Sequence, residues 1–133
     1  MICLDTNAVI AALNVSEQRV RGRMERTLAG GVTIGIPAIV LYELWYGINK
    51  SARPRENAAA LAAFLALNMS VWPFELEDAE EAGDIRSSLE RAGKSIGPYD
   101  VLIAAQARRR GAILVTANSR EFGRVPRLKV EDW

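Results

Sequence analysis

IGPYDVLIAAQARRRGAILVT, residues 96–116, is the stretch on which the fold turns. Gly97 and Pro98 open a helix, because proline at a first helical position loses no hydrogen bond the helix would have made. Residues 101–105 are apolar enough to be central to a core. The helix runs to about Arg110, and Gly111 ends it. Residues 112–116 then form a short apolar run of strand length. A buried helix feeding directly into a buried strand is the repeating unit of a parallel α/β sheet.

The same alternation continues outward in both directions. Ile2–Leu4 reads as a buried strand stopping at Asp5, followed by a short helix over Thr6–Leu13. Residues 17–29 are Arg-rich with Val20, Met24 and Leu28 at helical spacing, and Gly30-Gly31 closes that helix. A β-branched strand follows at 32–36, then a helix at 38–48 behind Pro37 and an Ala- and Leu-rich helix at 54–67. Residues 70–74 form a third strand. The helix at 77–92 masses acids at its positive end, as the macrodipole favours. Residues 128–130 form a short edge strand. The expectation is one domain over residues 1–133, with four or five mostly parallel strands and helices on both faces. Ligands of such open sheets bind outside the carboxyl ends of the strands.

Composition removes several kinds of chemistry. The 133 residues contain no histidine and one cysteine, Cys3. A Ser-His-Asp triad, a Cys-His pair and paired-histidine cleavage of RNA are therefore excluded, and a zinc site nearly so. Carboxylates assisted by a hard cation such as Mg²⁺ or Mn²⁺ are the hydrolytic apparatus left. A single cysteine fits a reducing compartment. No apolar run approaches the roughly 20 residues of a membrane span, and Asp5 stands where a signal peptide is basic. The expected location is cytoplasmic. Net charge is only +1, yet fourteen arginines stand against three lysines. The guanidinium fork suits phosphate or an acidic peptide, although a GC-rich genome also inflates Arg and Ala together.

Three acids sit at the ends of core elements. Asp5 follows the first strand, where it is either a helix N-cap or a catalytic group; Asn7 adds a polar side chain nearby. Glu43, in PAIVLYELWYG (37–47), is the only charge of its helix before Lys50. Its neighbours Val40 and Leu44 turn it partly inward, where an uncompensated carboxylate is costly without a cation. Asp100 stands just inside the start of the helix that Gly97 and Pro98 open, favoured there by the helix dipole or kept for chemistry. LVTANSREF (114–122) supplies a polar loop at the same edge, with either Asn118 or Glu121 as a fourth group. Crowded carboxylates repel, and a divalent cation relieves them while activating water against a phosphodiester. Trp45 and Tyr46 pack in the core, stack on bases or line a partner groove.

LDTNAVIAAL (4–13), YELWYGINKS (42–51) and the closing IGPYDVLIAAQARRRGAILVTANSREFGRVPRLKVEDW (96–133) resemble the PIN domains of VapC-type toxins in order and spacing. The resemblance implies a three-layer α/β/α sandwich and a Mg²⁺- or Mn²⁺-dependent endoribonuclease, with transfer RNA the favoured substrate. It also implies a homodimer and a cognate antitoxin whose arginine probes the acidic site. By it Asp5 and Asp100 are metal ligands and Glu43 is the third acid. The chain departs from the family at Ala117-Asn118, where two asparagines are common, so the fourth role falls to Asn118 or Glu121. Arginines of the 19–26 helix, or Arg53 and Arg55, would grip the RNA backbone, while Arg108, Arg109 and Arg110 complement their helix dipole. The rival readings are a catalytically inactive PIN-like module that binds RNA or protein, and a nuclease acting on DNA. A phospho-accepting receiver domain is set aside, because Asp5 is single and the third strand ends in Trp72-Pro73-Phe74.

Overall fold

A computed structural model describes all residues, 1–133. The elements are β1 (Ile2–Leu4), α1 (Thr6–Leu13), α2 (Gln18–Ala29), β2 (Ile34–Pro37), α3 (Ala38–Asn49) and α4 (Pro54–Leu65). They continue with β3 (Ser70–Trp72), α5 (Leu76–Arg91), α6 (Pro98–Arg109), β4 (Ile113–Val115), α7 (Ser119–Phe122) and β5 (Lys129–Glu131). The five strands form one sheet in the order β3-β2-β1-β4-β5, and every neighbouring pair is parallel. With its flanking helices the sheet makes the expected α/β/α sandwich. The expected mostly parallel sheet is parallel throughout.

Most boundaries fall within two residues of the sequence reading, the usual uncertainty of element ends. Two differences are structural. β3 stops at Trp72 rather than at residue 74, because Pro73 has no N–H to continue a ladder; Gln106 instead donates to the carbonyls of Trp72 and Pro73, at 3.2 and 3.0 Å. The polar loop expected after β4 contains a four-residue helix, α7. Trp45 and Tyr46 are exposed, which removes the core reading of those rings.

The core is continuous, from Leu4 and Ile36 in the sheet to Met24, Phe64, Ile103 and Phe122 in the helices. Gly35 shows how tightly one face is filled. A Cβ placed there would lie 1.9 Å from the Trp72 indole, so only glycine fits beneath that ring. The Arg110 guanidinium covers the same ring, 4.8 Å from its centroid. Gly35→Ala is expected to force the indole out and destabilise by about 1–3 kcal/mol. An unchanged urea midpoint would show that the indole does not hold this position.

The three arginines closing α6 do more than face a helix dipole. Arg109 and Arg110 donate to fully buried Asp78 of α5, at 2.6 and 2.8 Å, and Arg108 pairs with Glu81 and Asp84. Burial raises the Asp78 carboxyl, but the two guanidinium groups outweigh it and hold it below the ordinary range. At the chain end, Glu131 accepts hydrogen bonds from Arg23 and from the Trp133 indole, tying β5 to α2. These arginines are structural. The acids of α5 are their counter-ions.

Candidate active site

The strand order reverses direction around β1, with β2 on one side and β4 on the other. The crevice at the carboxyl ends of β1 and β4 is therefore the switch point at which open α/β sheets bind ligands. Asp5 and Thr116 are the residues that leave those two strands, and both are buried. The Asp5 N–H bonds to the carbonyl of Val115, 3.2 Å away, which locks the two ends together.

Asp5 is the N-cap of α1: its Oδ1 accepts the Ala8 N–H at 2.8 Å. Burial raises its carboxyl above the ordinary value, and nearby Glu43 adds to the rise. Hydrogen bonds from the Thr116 hydroxyl and Ala8 oppose it. Cap and candidate site position thus coincide in one residue. Thr6, the first residue of α1, donates its hydroxyl to Glu43 Oε1 at 2.8 Å, which draws the carboxylate of α3 to the Asp5 end of the sheet.

Asp100 lies in the first turn of α6, half-buried. Its carboxyl is pushed up to about 6, by burial first and then by the charges of Glu43, Glu121 and Asp5. Asp5, Glu43 and Glu121 are thus near enough to Asp100 to act on its charge. At the fourth position, Asn118 Nδ2 donates to Glu121 Oε2 at 2.9 Å, and the Asn118 N–H bonds to Thr116 Oγ1 at 2.9 Å. The asparagine therefore holds the acid beside Thr116. Asn7 is exposed, and the polar role expected of it falls to Thr6. The sequence offered no sign of this beyond the hydroxyl next to Asp5. Tyr42 and Tyr99, the chain neighbours of Glu43 and Asp100, stand at the rim with rings 5.4 Å apart and hydroxyls 3.4 Å apart. Cys3 is buried and its thiol is pushed up by that burial, which leaves it inert.

None of the four acids takes part in an ion pair, although nine of the fourteen arginines do. With these rotamers no three acids converge closely enough to grip one ion. The donor set still fits a hard divalent cation: it is all oxygen, it lacks a counter-ion, and its members raise one another's protonation.

Fold and site together define an α/β/α domain with an acid-lined switch point. The chain belongs to the PIN domain family, whose sequence model matches residues 2–128. It is 37% identical to the tRNA(fMet)-specific endonuclease VapC of Salmonella typhimurium over 130 residues, 98% of this chain and 96% of that protein. It is 38% identical to the ribonuclease VapC2 of Rickettsia felis over the same shares. Among solved structures, VapBC2 from Rickettsia felis bound to a promoter DNA fragment superposes with a TM-score of 0.93 at 37% identity. That match covers 100% of this chain and 99% of the other.

Proposed function

We propose that this chain is a divalent-metal-dependent endoribonuclease and the toxin of a toxin–antitoxin pair, built as one PIN unit over residues 1–133. The observation that carries the reading is the set of four carboxyl groups without a counter-ion at the switch point. Asp5 and Asp100 are the ligands of Mg²⁺ or Mn²⁺, while Glu43 and Glu121 hold water or a second ion. Thr116, Thr6 and Asn118 fix the orientation of Asp5, Glu43 and Glu121. When bound, the ion supplies positive charge that polarises a phosphodiester and acidifies water. Raised carboxyls at Asp5 and Asp100 support this reading, because an ion is what would make their charged forms favourable.

Transfer RNA is the first substrate to test, since the Salmonella typhimurium relative is named for it. Two of the solved relatives are VapBC complexes, and a groove of about 280 Å³ lined in part by Glu43 is where an antitoxin segment would sit. Ile10, Leu13, Leu44, Ile48 and Leu61 make it apolar, and Glu43 offers a carboxylate to an arginine. A homodimer and a cytoplasmic location belong to the same proposal. No helix is long and apolar enough to cross a membrane.

The test is cleavage of total RNA by the purified chain with Mg²⁺ or Mn²⁺, and again with EDTA. Discrete fragments are expected with metal and none with EDTA. A folded, metal-loaded protein that leaves transfer, ribosomal and messenger RNA intact would replace this reading with the binding-only module. That no three of the acids come together as a ready cation site is the observation that favours that alternative.

A further inference from the structure

A polyanion is not drawn to an acidic crevice unless cations stand beside it. The Arg residues suggested by sequence for that task are largely committed elsewhere: Arg19, Arg21 and Arg23 pair with Asp132, Glu25 and Glu131, and Arg53 pairs with Glu56. Five arginines remain outside ion pairs: Arg26, Arg55, Arg91, Arg120 and Arg124. Two of these five meet Lys94 in one open cleft of about 550 Å³, whose only other lining residues are Gly93 and Gly123. No acid and no apolar side chain lines it. The walls are the loop between α5 and α6 and the end of α7. Those two walls lead to Asp100 and Glu121, respectively.

We propose that Lys94, Arg120 and Arg124 form a phosphate cleft that holds the backbone of an RNA strand and feeds it to the acidic crevice. This rests on the nuclease reading above and adds the residues that hold the strand. Arg124 is fixed in place by donating to the carbonyl of Ser95, 3.1 Å away. Lys94 and Arg120 are exposed and free to reach phosphates. The two glycines leave the cleft without side chains at those points, so a phosphate can come close to the backbone. The contacts carry no base information, because phosphate contacts set register and orientation rather than sequence.

The experiment measures binding of a labelled single-stranded RNA dodecamer over a range of salt, in an Asp5→Asn background that prevents cutting. Lys94→Gln/Arg120→Gln is compared with Arg53→Gln/Arg55→Gln, which removes equal charge from the start of α4. Each single-strand phosphate contact contributes about 0.7 to the slope of log affinity against log salt. The cleft pair should therefore lower the slope by about 1.4, and the α4 pair should leave it unchanged. The folds of both double variants are verified by their melting curves. Equal losses in both double variants, an unchanged slope in the cleft variant, or a shift seen with duplex DNA but not RNA overturns the proposal. If the parent cleaves RNA in metal and the slope does not move, only the cleft falls. If the parent neither binds nor cleaves, the nuclease reading falls with it.

Discussion

Asp5→Asn leaves the protein folded and lowers RNA cleavage by about 10²–10³-fold, the usual cost of losing one group that stabilises charge at a reacting centre. The substitution separates the two tasks of this residue. Asparagine is as good an N-cap as aspartate, so its Oδ1 keeps the Ala8 N–H that now sits 2.8 Å from the carboxylate. Its amide then faces the Thr116 hydroxyl, which can accept where it formerly donated. What disappears is the negative charge, and with it a cation ligand. Asp5→Ala is the poorer test, because losing the cap costs about 1 kcal/mol on its own. Melting without metal should stay within a few degrees of the parent, since a buried charge has also been removed. Cleavage at the parental rate by the Asn variant would remove Asp5 from the chemistry and leave it only a cap.

The residues that carry this reading are legible in sequence to different degrees, for physical reasons. Asp5 and Asp100 each end or begin a segment whose apolar run marks it as buried, so the sheet topology alone brings them to one edge. Glu43 is visible as the lone charge on an apolar helix. The fourth position is not visible in this way. Glu121 lies in a four-residue helix too short to show any periodicity, and Asn118 is the residue just before it; only the folded chain shows the asparagine donating to the acid. Thr6 is less visible still, because its partner is 37 residues away.

The arginines teach a related lesson. Arg108, Arg109 and Arg110 at a helix end, and acids at the start of another helix, are each explained by a local dipole. The structure joins the two groups into one set of ion pairs across 24–34 residues of chain, which no local pattern encodes. A surplus of arginine therefore says little about nucleic acid until the paired ones are set aside. Of the five that remain, Arg120 and Arg124 are the two that share one cleft.

Asp100→Asn should abolish cleavage to a similar extent as Asp5→Asn while making the metal-free protein more stable at neutral pH. The Asp100 carboxyl is raised from its ordinary 3.8 to about 6 by burial, and then by Glu43, Glu121 and Asp5. A raised folded-state value means that the native chain holds its proton longer than the unfolded chain. The contribution of this group is therefore fully present below about pH 4 and is lost as pH rises to about 6. At 1.36 kcal/mol per pH unit the loss is at most about 3 kcal/mol. Asp100 is only half-buried, so screening reduces this to about 1.5 kcal/mol, or about 5 °C in melting temperature for a chain this size. In EDTA, the variant and parent should melt together at pH 4 and separate by that amount at pH 7, with the variant higher. Adding Mg²⁺ at pH 7 should then raise the parent alone, since only a native state that binds the ion gains from it. A variant that melts at or below the parent at pH 7 would mean that neither burial nor the neighbouring acids disfavour the charged form of Asp100. The argument for a cation at this edge would then lose its electrostatic basis, whatever the cleavage assay showed.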